Sequence, residues 1–331
     1  MKYTSLGVTL FLLALGACSD QSTTSNDTPA PIDTPDDNDA GNGGTVDGST
    51  PATDAGTDAP IVDDANIRRV RIVAANTTSG AATSYQPMES IRLFQGLKPD
   101  VVLLQEFKYK TGNDTDIREF VDTAFGASYT YYREPLNGGN DLPNGIVSRF
   151  PIAESGSWDD PNADNRGFAY AKIQIPNAAH ALWAVSIHLL TSSSPNRNTE
   201  ATALVAKIKD VVPAGDYLVV GGDFNTSVKT EPCITTFSEV LTTAEPWPDD
   251  GAGNENTNAP RNKPFDWLLA DGDLTSLAIP VKIGARTFGP GLVFDSRVYK
   301  PLTDVAPIMI GDSDALNMQH MPIVRDFAFP R

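Results

Sequence analysis

The run Leu218-Val219-Val220-Gly221-Gly222-Asp223-Phe224-Asn225-Thr226 restricts the folds open to this chain more than any other stretch. Its apolar and β-branched start predicts a buried strand, and the two glycines end that strand abruptly. An acid and an amide follow, separated by one bulky residue. Side chains two apart on an extended chain face the same way, so Asp223 and Asn225 can converge on one ligand at the strand's C-terminal edge. Taken alone, the same residues also fit an Asx turn that merely closes a strand.

Other segments end in the same manner. Val70 to Asn76 reads as a strand closing on an amide. Val101-Val102-Leu103-Leu104-Gln105-Glu106 predicts a strand buried on both faces, with Glu106 at its end. Strands are also expected at Tyr129–Tyr132, Gly145–Ser148, Phe168–Ile175, Leu182–Leu189, Phe265–Ala270 and Pro322–Phe327. Helical spacing marks Pro87–Gly96, the stretch from Ile117 to Phe125, Asn198–Val212 and a short piece near Ile234–Leu241. Strands and helices interleave from residue 67 to 331, which places this part of the chain in the α/β (α+β) class as one domain.

The first 66 residues have a different character. A short apolar stretch after Met1-Lys2 runs from Leu6 to Leu15 and leads into Gly16-Ala17-Cys18. That core is too short to span a bilayer and reads as an export signal over residues 1–18. Leu15-Gly16-Ala17-Cys18 resembles a bacterial lipobox, which implies lipidation of Cys18 and a lipid-anchored protein at the outer membrane or cell surface. Residues 19–66 are Thr, Pro, Asp, Gly, Asn and Ser with almost no large apolar side chain, so they are expected to form a disordered tether.

Charge follows the same division. The chain carries a net charge of −17, and its first 66 residues hold 11 acids against one base. The part from residue 67 on is therefore only mildly acidic and has no basic stripe, which argues against high-affinity, non-catalytic DNA binding. An enzyme that meets phosphate through a metal remains open. Cys18 and Cys233 are the only cysteines, so no disulfide is expected within the folded part. Cys233 reads as a small buried hydrophobe.

The polar residues at strand ends, Asn76, Glu106, His188, Asp223, Asn225, Asp266 and His320, make up the candidate site. Glu106 and the amide oxygens suit Mg²⁺, which prefers hard oxygen ligands and keeps water. A histidine paired with a carboxylate can take a proton from an attacking water. The third histidine, His180, reads as a loop residue without a role. Arg166 and Arg197 are candidates to grip phosphate, or else surface and helix-start residues.

In this order the segments resemble the endonuclease/exonuclease/phosphatase superfamily from about Val70 to Val324. Leu97 to Glu106 is similar to its glutamate motif, Asn144 to Ile152 to a site-lining strand, and Ser186-Ile187-His188-Leu189 to its histidine motif. Gly222-Asp223-Phe224-Asn225 carries the most specific match. Phe265-Asp266-Trp267 and His320-Met321-Pro322-Ile323-Val324 complete the series. The resemblance implies a four-layer sandwich, two mixed β-sheets packed face to face with helices outside.

It also implies roles. Glu106 and Asn76 would bind Mg²⁺ (or Mn²⁺), and Asp223 and Asn225 would orient the nucleophile and the phosphate. His188 would stabilise the departing oxygen, and Asp266 would support His320 as general base. The chain is expected to act as a monomer on DNA or RNA, a phospholipid head group or a small phosphate ester, with a sphingomyelinase-like or phosphomonoesterase activity as alternatives. One position departs from the pattern: Gln319 precedes the last histidine where the superfamily has Asp. Asp314 is the nearest substitute, and a non-catalytic binding module of the same fold stays open.

Overall fold

The computed structural model describes residues 66–78, 88–138, 140–316 and 318–331. The expected signal, Cys18 and all of the tether except Asn66 lie outside them, as does Pro87. The chain enters through β1 (Ile67–Asn76), α1 (Met88–Leu97), β2 (Val101–Gln105) and α2 (Asp114–Ala124). It continues through β3 (Thr130–Arg133), β4 (Gly145–Ser148), β5 (Ile152–Trp158), β6 (Phe168–Ile173) and β7 (Leu182–His188). Next come α3 (Ser194–Val211), β8 (Tyr217–Asp223), α4 (Pro232–Phe237), β9 (Asp266–Ala270) and α5 (Gly272–Thr275). The short strands β10 (Ala278–Ile279), β11 (Val281–Ile283), β12 (Arg286–Phe288) and β13 (Leu292–Val293) precede the long β14 (Ile323–Pro330).

Two mixed sheets result. The first runs β10-β14-β1-β2-β4-β3, with β13 also on β14, and the second runs β5-β6-β7-β8-β9. Each has one parallel pair at its heart, β1 with β2 and β7 with β8, joined by the crossovers that carry α1 and α3. Their inner faces form a shared core of Val70, Ile72, Leu103, Ala171, Ala184 and Val219, among others. The outer face of the first sheet packs on Ile91, Phe94, Ile117 and Phe120 of α1 and α2. That of the second packs on Leu204, Val205, Ile208 and Phe237 of α3 and α4. The layers are helix, sheet, sheet and helix, as the resemblance implies. Strands sandwiched in this way bury both faces, and each fully buried Val, Leu or Ile contributes about 1.5–3 kcal/mol.

Departures from the sequence reading fall at the edges. Strand β5 is largely exposed and polar, Ile-Ala-Glu-Ser-Gly-Ser-Trp, and only its ladder to β6 makes it a strand. Helix α3 begins at Ser194, four residues before the expected start at Asn198, because the Ser193 side chain accepts from the Asn196 N–H and Pro195 occupies its first turn.

The parallel pairs decide where the site must be. β1, β2, β7 and β8 all end on one side of the sandwich, while the antiparallel β9 and β14 begin there. Asn76 stands beside Gln105 in register, His188 beside Asp223, and Asp223 beside Asp266.

Candidate active site

Gly222 explains the paired glycines. It holds φ at +139°, and a Cβ there would lie 2.1 Å from the Ile187 carbonyl oxygen and 2.6 Å from Gln105 Nε2. The close approach brings the two sheets together behind the site. Gln105 Nε2 donates to Ser186 Oγ at 2.8 Å, and that hydroxyl donates to the Leu104 carbonyl at 2.7 Å. Neither residue stood out in the sequence, although Ser186 shares a strand face with His188. Past the clamp, Glu106 and Asn225 adopt φ of +53° and +52°. Such angles are uncommon for residues with a Cβ and recur where a strand end must aim a side chain.

The polar side chains form one connected chain. Asn76 is fully buried, and its Nδ2 donates to Glu106 Oε1 at 3.1 Å and to Asp223 Oδ2 at 3.0 Å. The Asn76 oxygen accepts from the Thr78 N–H, so the acids meet the amide's donor side. Asp223 also accepts from the Asn225 N–H through Oδ1, and Asn225 Nδ2 donates to the Leu189 carbonyl. His188 Nε2 lies 3.4 Å from Asp223 Oδ2, and His320 Nε2 lies 3.9 Å from the same oxygen. The other nitrogen of His320, Nδ1, pairs with both oxygens of Asp266 at 2.9 and 3.1 Å. All seven strand-end residues chosen from the sequence therefore sit at one end of the sandwich.

The electrostatics separate the two histidines. Burial pushes the His188 imidazole well below its ordinary value, and the charges of Arg166 and His320 push it the same way, so it is neutral at physiological pH. For His320 burial also acts downward, but Asp266, Asp223 and Glu106 outweigh it and raise the pKa to about 10. Asp223 is pushed up to about 7, chiefly by burial and then by Asp266, while His320 and hydrogen bonds to Asn225 and Asn76 oppose the rise.

Donor atoms of Asp223, Asp266 and His320 all lie within 4.8 Å of one another, a set able to hold a metal ion. Asp266 gives both oxygens to the His320 imidazole, and both oxygens of Asp223 also accept hydrogen bonds, from Asn225 and Asn76, so a cation held here would share these carboxylates with the polar chain. Carboxylate oxygens with an imidazole alongside are a donor set that can take a divalent cation.

The two candidate arginines part company. Arg166 donates from Nε to the His188 carbonyl and from Nη2 to the Leu189 carbonyl, directly behind the site. Arg197 is buried in a bidentate pair with Glu231 at 2.7–2.9 Å and also donates to the Leu190 and Thr191 carbonyls, so it fastens α3 to the loop after β8. Gln319 is exposed; its side chain donates to the Leu316 carbonyl and its N–H to Thr78 Oγ1. Asp314 is held by Arg297 at 2.8 Å. His180 is exposed in a loop, as expected. Sequence reasoning passed over Thr257, whose hydroxyl accepts the Asp266 N–H at 2.7 Å and whose carbonyl accepts the Met321 N–H. It thereby ties the start of β9 to the approach to β14, and nothing in its Asn- and Gly-rich loop marks it out.

Comparison with known proteins agrees with this geometry. The model of the Endonuclease/Exonuclease/phosphatase family matches residues 80–286, leaving Asn76 and His320 outside the matched span. Among solved structures, a functionally unknown conserved protein from Enterococcus faecalis superposes with a TM-score of 0.54 at 10% identity, over 79% of this chain and 100% of that one. An endonuclease/exonuclease/phosphatase from Beutenbergia cavernae gives 0.53 at 15% identity, over 79% of this chain and 72% of the other. One from Bacteroides vulgatus gives 0.50 at 16% identity, over 80% and 100%. At such identities the likeness is one of fold. No curated protein matches the chain.

Proposed function

Because this chain belongs to the endonuclease/exonuclease/phosphatase family, whose members are generally phosphoester hydrolases, we propose that it hydrolyses phosphoesters with the aid of a divalent cation, Mg²⁺ or Mn²⁺. The observation that carries this reading is the unbroken polar chain Glu106–Asn76–Asp223, with the Asp266–His320 pair against it. Buried acids, amides and imidazoles from both sheets are costly to assemble unless they serve a charged reactant.

Glu106 and Asp223 are the residues assigned to the cation; Asn76, expected from the sequence to join them, turns its N–H₂ to both acids and its oxygen to the Thr78 N–H, so it holds the acids in place instead. When bound, the cation would supply positive charge against the phosphoryl oxygens. The chain's own groups do the rest. Asp266 fixes the His320 ring through Nδ1 and leaves Nε2 on the Asp223 side, 3.9 Å from its Oδ2, where it can accept a proton from water. Its own carboxylates hold His320 protonated to about pH 10, and positive charge placed beside Asp223 would lower that value and free Nε2. Asp223 and Asn225 orient the water and the phosphate. Neutral His188, backed by Arg166, stands where a departing oxygen can be stabilised.

For substrate we favour a phosphodiester, as in a nuclease or general phosphodiesterase, attacked in line by water. Plasmid DNA, sphingomyelin and an inositol phosphate, each assayed with and without EDTA, separate the classes. Activity on any of them should vanish with EDTA and in Glu106→Ala and His320→Ala proteins. Full metal-dependent hydrolysis by both variants would sink the assignment. Gln319 adds no charge, and Asp314 is engaged elsewhere. A protein with no saturable Mg²⁺ or Mn²⁺ site would instead be a binding module on the same scaffold.

We further propose that the protein is exported, monomeric and lipid-anchored through Cys18, the tether of residues 19–66 setting the domain off from the membrane. Among the described residues no helix is long and apolar enough to cross a membrane. Cys18→Ala should move the protein from the membrane to the soluble fraction, and deleting residues 19–66 should leave soluble activity intact.

A further inference from the structure

The inner row of β14 runs Ile323, Arg325, Phe327 and Phe329, and the three apolar members pack into the core between the sheets. A guanidinium in that row is out of place. Arg325 reaches the free edge of β9, where Nη1 donates to the Leu268 carbonyl at 3.2 Å, and its Cζ lies 5.2 Å from the centre of the Phe327 ring. Those are its only partners among the described residues, and no carboxylate among them lies within ion-pair distance of it. Burial alone pushes its pKa down to about 10, with no acid acting against it. By surface area Arg325 is half-buried, so its guanidinium is partly desolvated and has no counter-charge among the described residues.

Arg325 lines a cavity of about 320 Å³ at the open margin of the sandwich, against Trp247, Trp267, Leu269, Ile279 and Val293. That volume suits a small organic ligand. The other charged groups on its wall are engaged or peripheral. Lys229 sits over the Trp247 ring at 4.1 Å and pairs with Glu255; Asp326 pairs with Arg71, and Asp266 with His320. Glu245 is exposed. Arg325 is thus, among the described residues, the one cation on this wall that lacks an opposite.

We propose that this cavity binds a small apolar carboxylate, its ring or chain among the tryptophans and aliphatic side chains and its head on Arg325. Nε and Nη2 make no hydrogen bond to the described residues, and together they form the side-on fork that a carboxylate accepts from two N–H groups. The ligand supplies the missing counter-charge and covers apolar surface in the same step.

Calorimetric titration of the full-length protein with 2-naphthoate tests this. It should show one saturable site, and 2-naphthalenemethanol, the same ring without the charge, should bind roughly tenfold or more weakly. Arg325→Met should abolish that preference while leaving the alcohol's affinity unchanged. Should the Met variant fail to fold, Arg325→Lys should retain a reduced preference for the carboxylate. Ile279→Trp, which fills the cavity, should remove both ligands. Equal affinity of the two ligands, no binding of naphthoate at millimolar concentration, or naphthoate binding that survives either Arg325→Met or Ile279→Trp would overturn the proposal. Neither residue belongs to the polar cluster, so phosphoester hydrolysis should persist in the variants, and the two readings stand or fall separately.

Discussion

Replacing Asp266 by Asn keeps the size and shape of the side chain but removes the charge held against His320. The pair stands at 2.9 Å, which puts the charge centres roughly 4 Å apart. At an effective dielectric constant of about 20, two unit charges at that distance interact by about 4 kcal/mol. With about 1.4 kcal/mol per pKa unit, the loss amounts to ~3 units. The His320 imidazole should therefore fall from about 10 to near 7. Its contribution to stability has a definite sign: the folded-state value lies above the unfolded one, so the contribution is complete below pH ~6.5 and is lost as pH rises toward 10. In Asp266→Asn that window should close almost entirely.

NMR titration of the imidazoles reads the result directly, because the chain has only His180, His188 and His320 to assign. Denaturant unfolding between pH 6 and 10 reads the linked stability. Hydrolysis should drop by roughly 10²–10⁴, the range for a misaligned general base. A His320 pKa near 6.5 in the unaltered protein, or one unmoved in Asp266→Asn, would refute the electrostatic argument.

Other perturbations test other links. Glu106→Ala should weaken Mn²⁺ binding, followed by calorimetry, while leaving the melting temperature within a few degrees. Gln319→Asp should tighten the same binding by about tenfold if that position faces the cation. Gly222→Ala should destabilise the protein by about 1–3 kcal/mol from backbone strain alone, and by more from the contact with the Ile187 carbonyl, as measured by urea unfolding. Arg197→Ala should cost about 3–5 kcal/mol by leaving Glu231 buried without its partner, a loss of stability rather than of phosphate binding. Asp223, raised to about 7, adds stability below its ordinary value of 3.8 that is lost as pH climbs through 7. Asp223→Asn should flatten the stability profile between pH 4 and 7.

Much of the fold was legible because its central strands are locally self-declaring. Val101–Leu104 and Leu218–Val220 are apolar on both faces, and each stops at a residue that cannot continue the run. The weakest reading fell on β5 and on β10 to β13. Those strands are short or polar, and their stability comes from ladders to partners that local sequence does not reveal. Residue types and strand-end positions marked the seven residues that the fold brings together, whereas Gln105 and Ser186 showed only as neighbours of Glu106 and His188 and Thr257 gave no signal.

The sequence by itself settled which groups are available, since a side chain's chemistry and its place at a strand end are local properties. It could not decide which group faces which. That Asn76 turns its N–H₂ to the acids, that Arg197 is a structural pin and Arg166 a neighbour of the site, follows from contacts that only the folded chain makes. Arg325 makes the same point. Its charge is plain in the chain, but that it lacks a counter-charge depends on everything the fold packs around it.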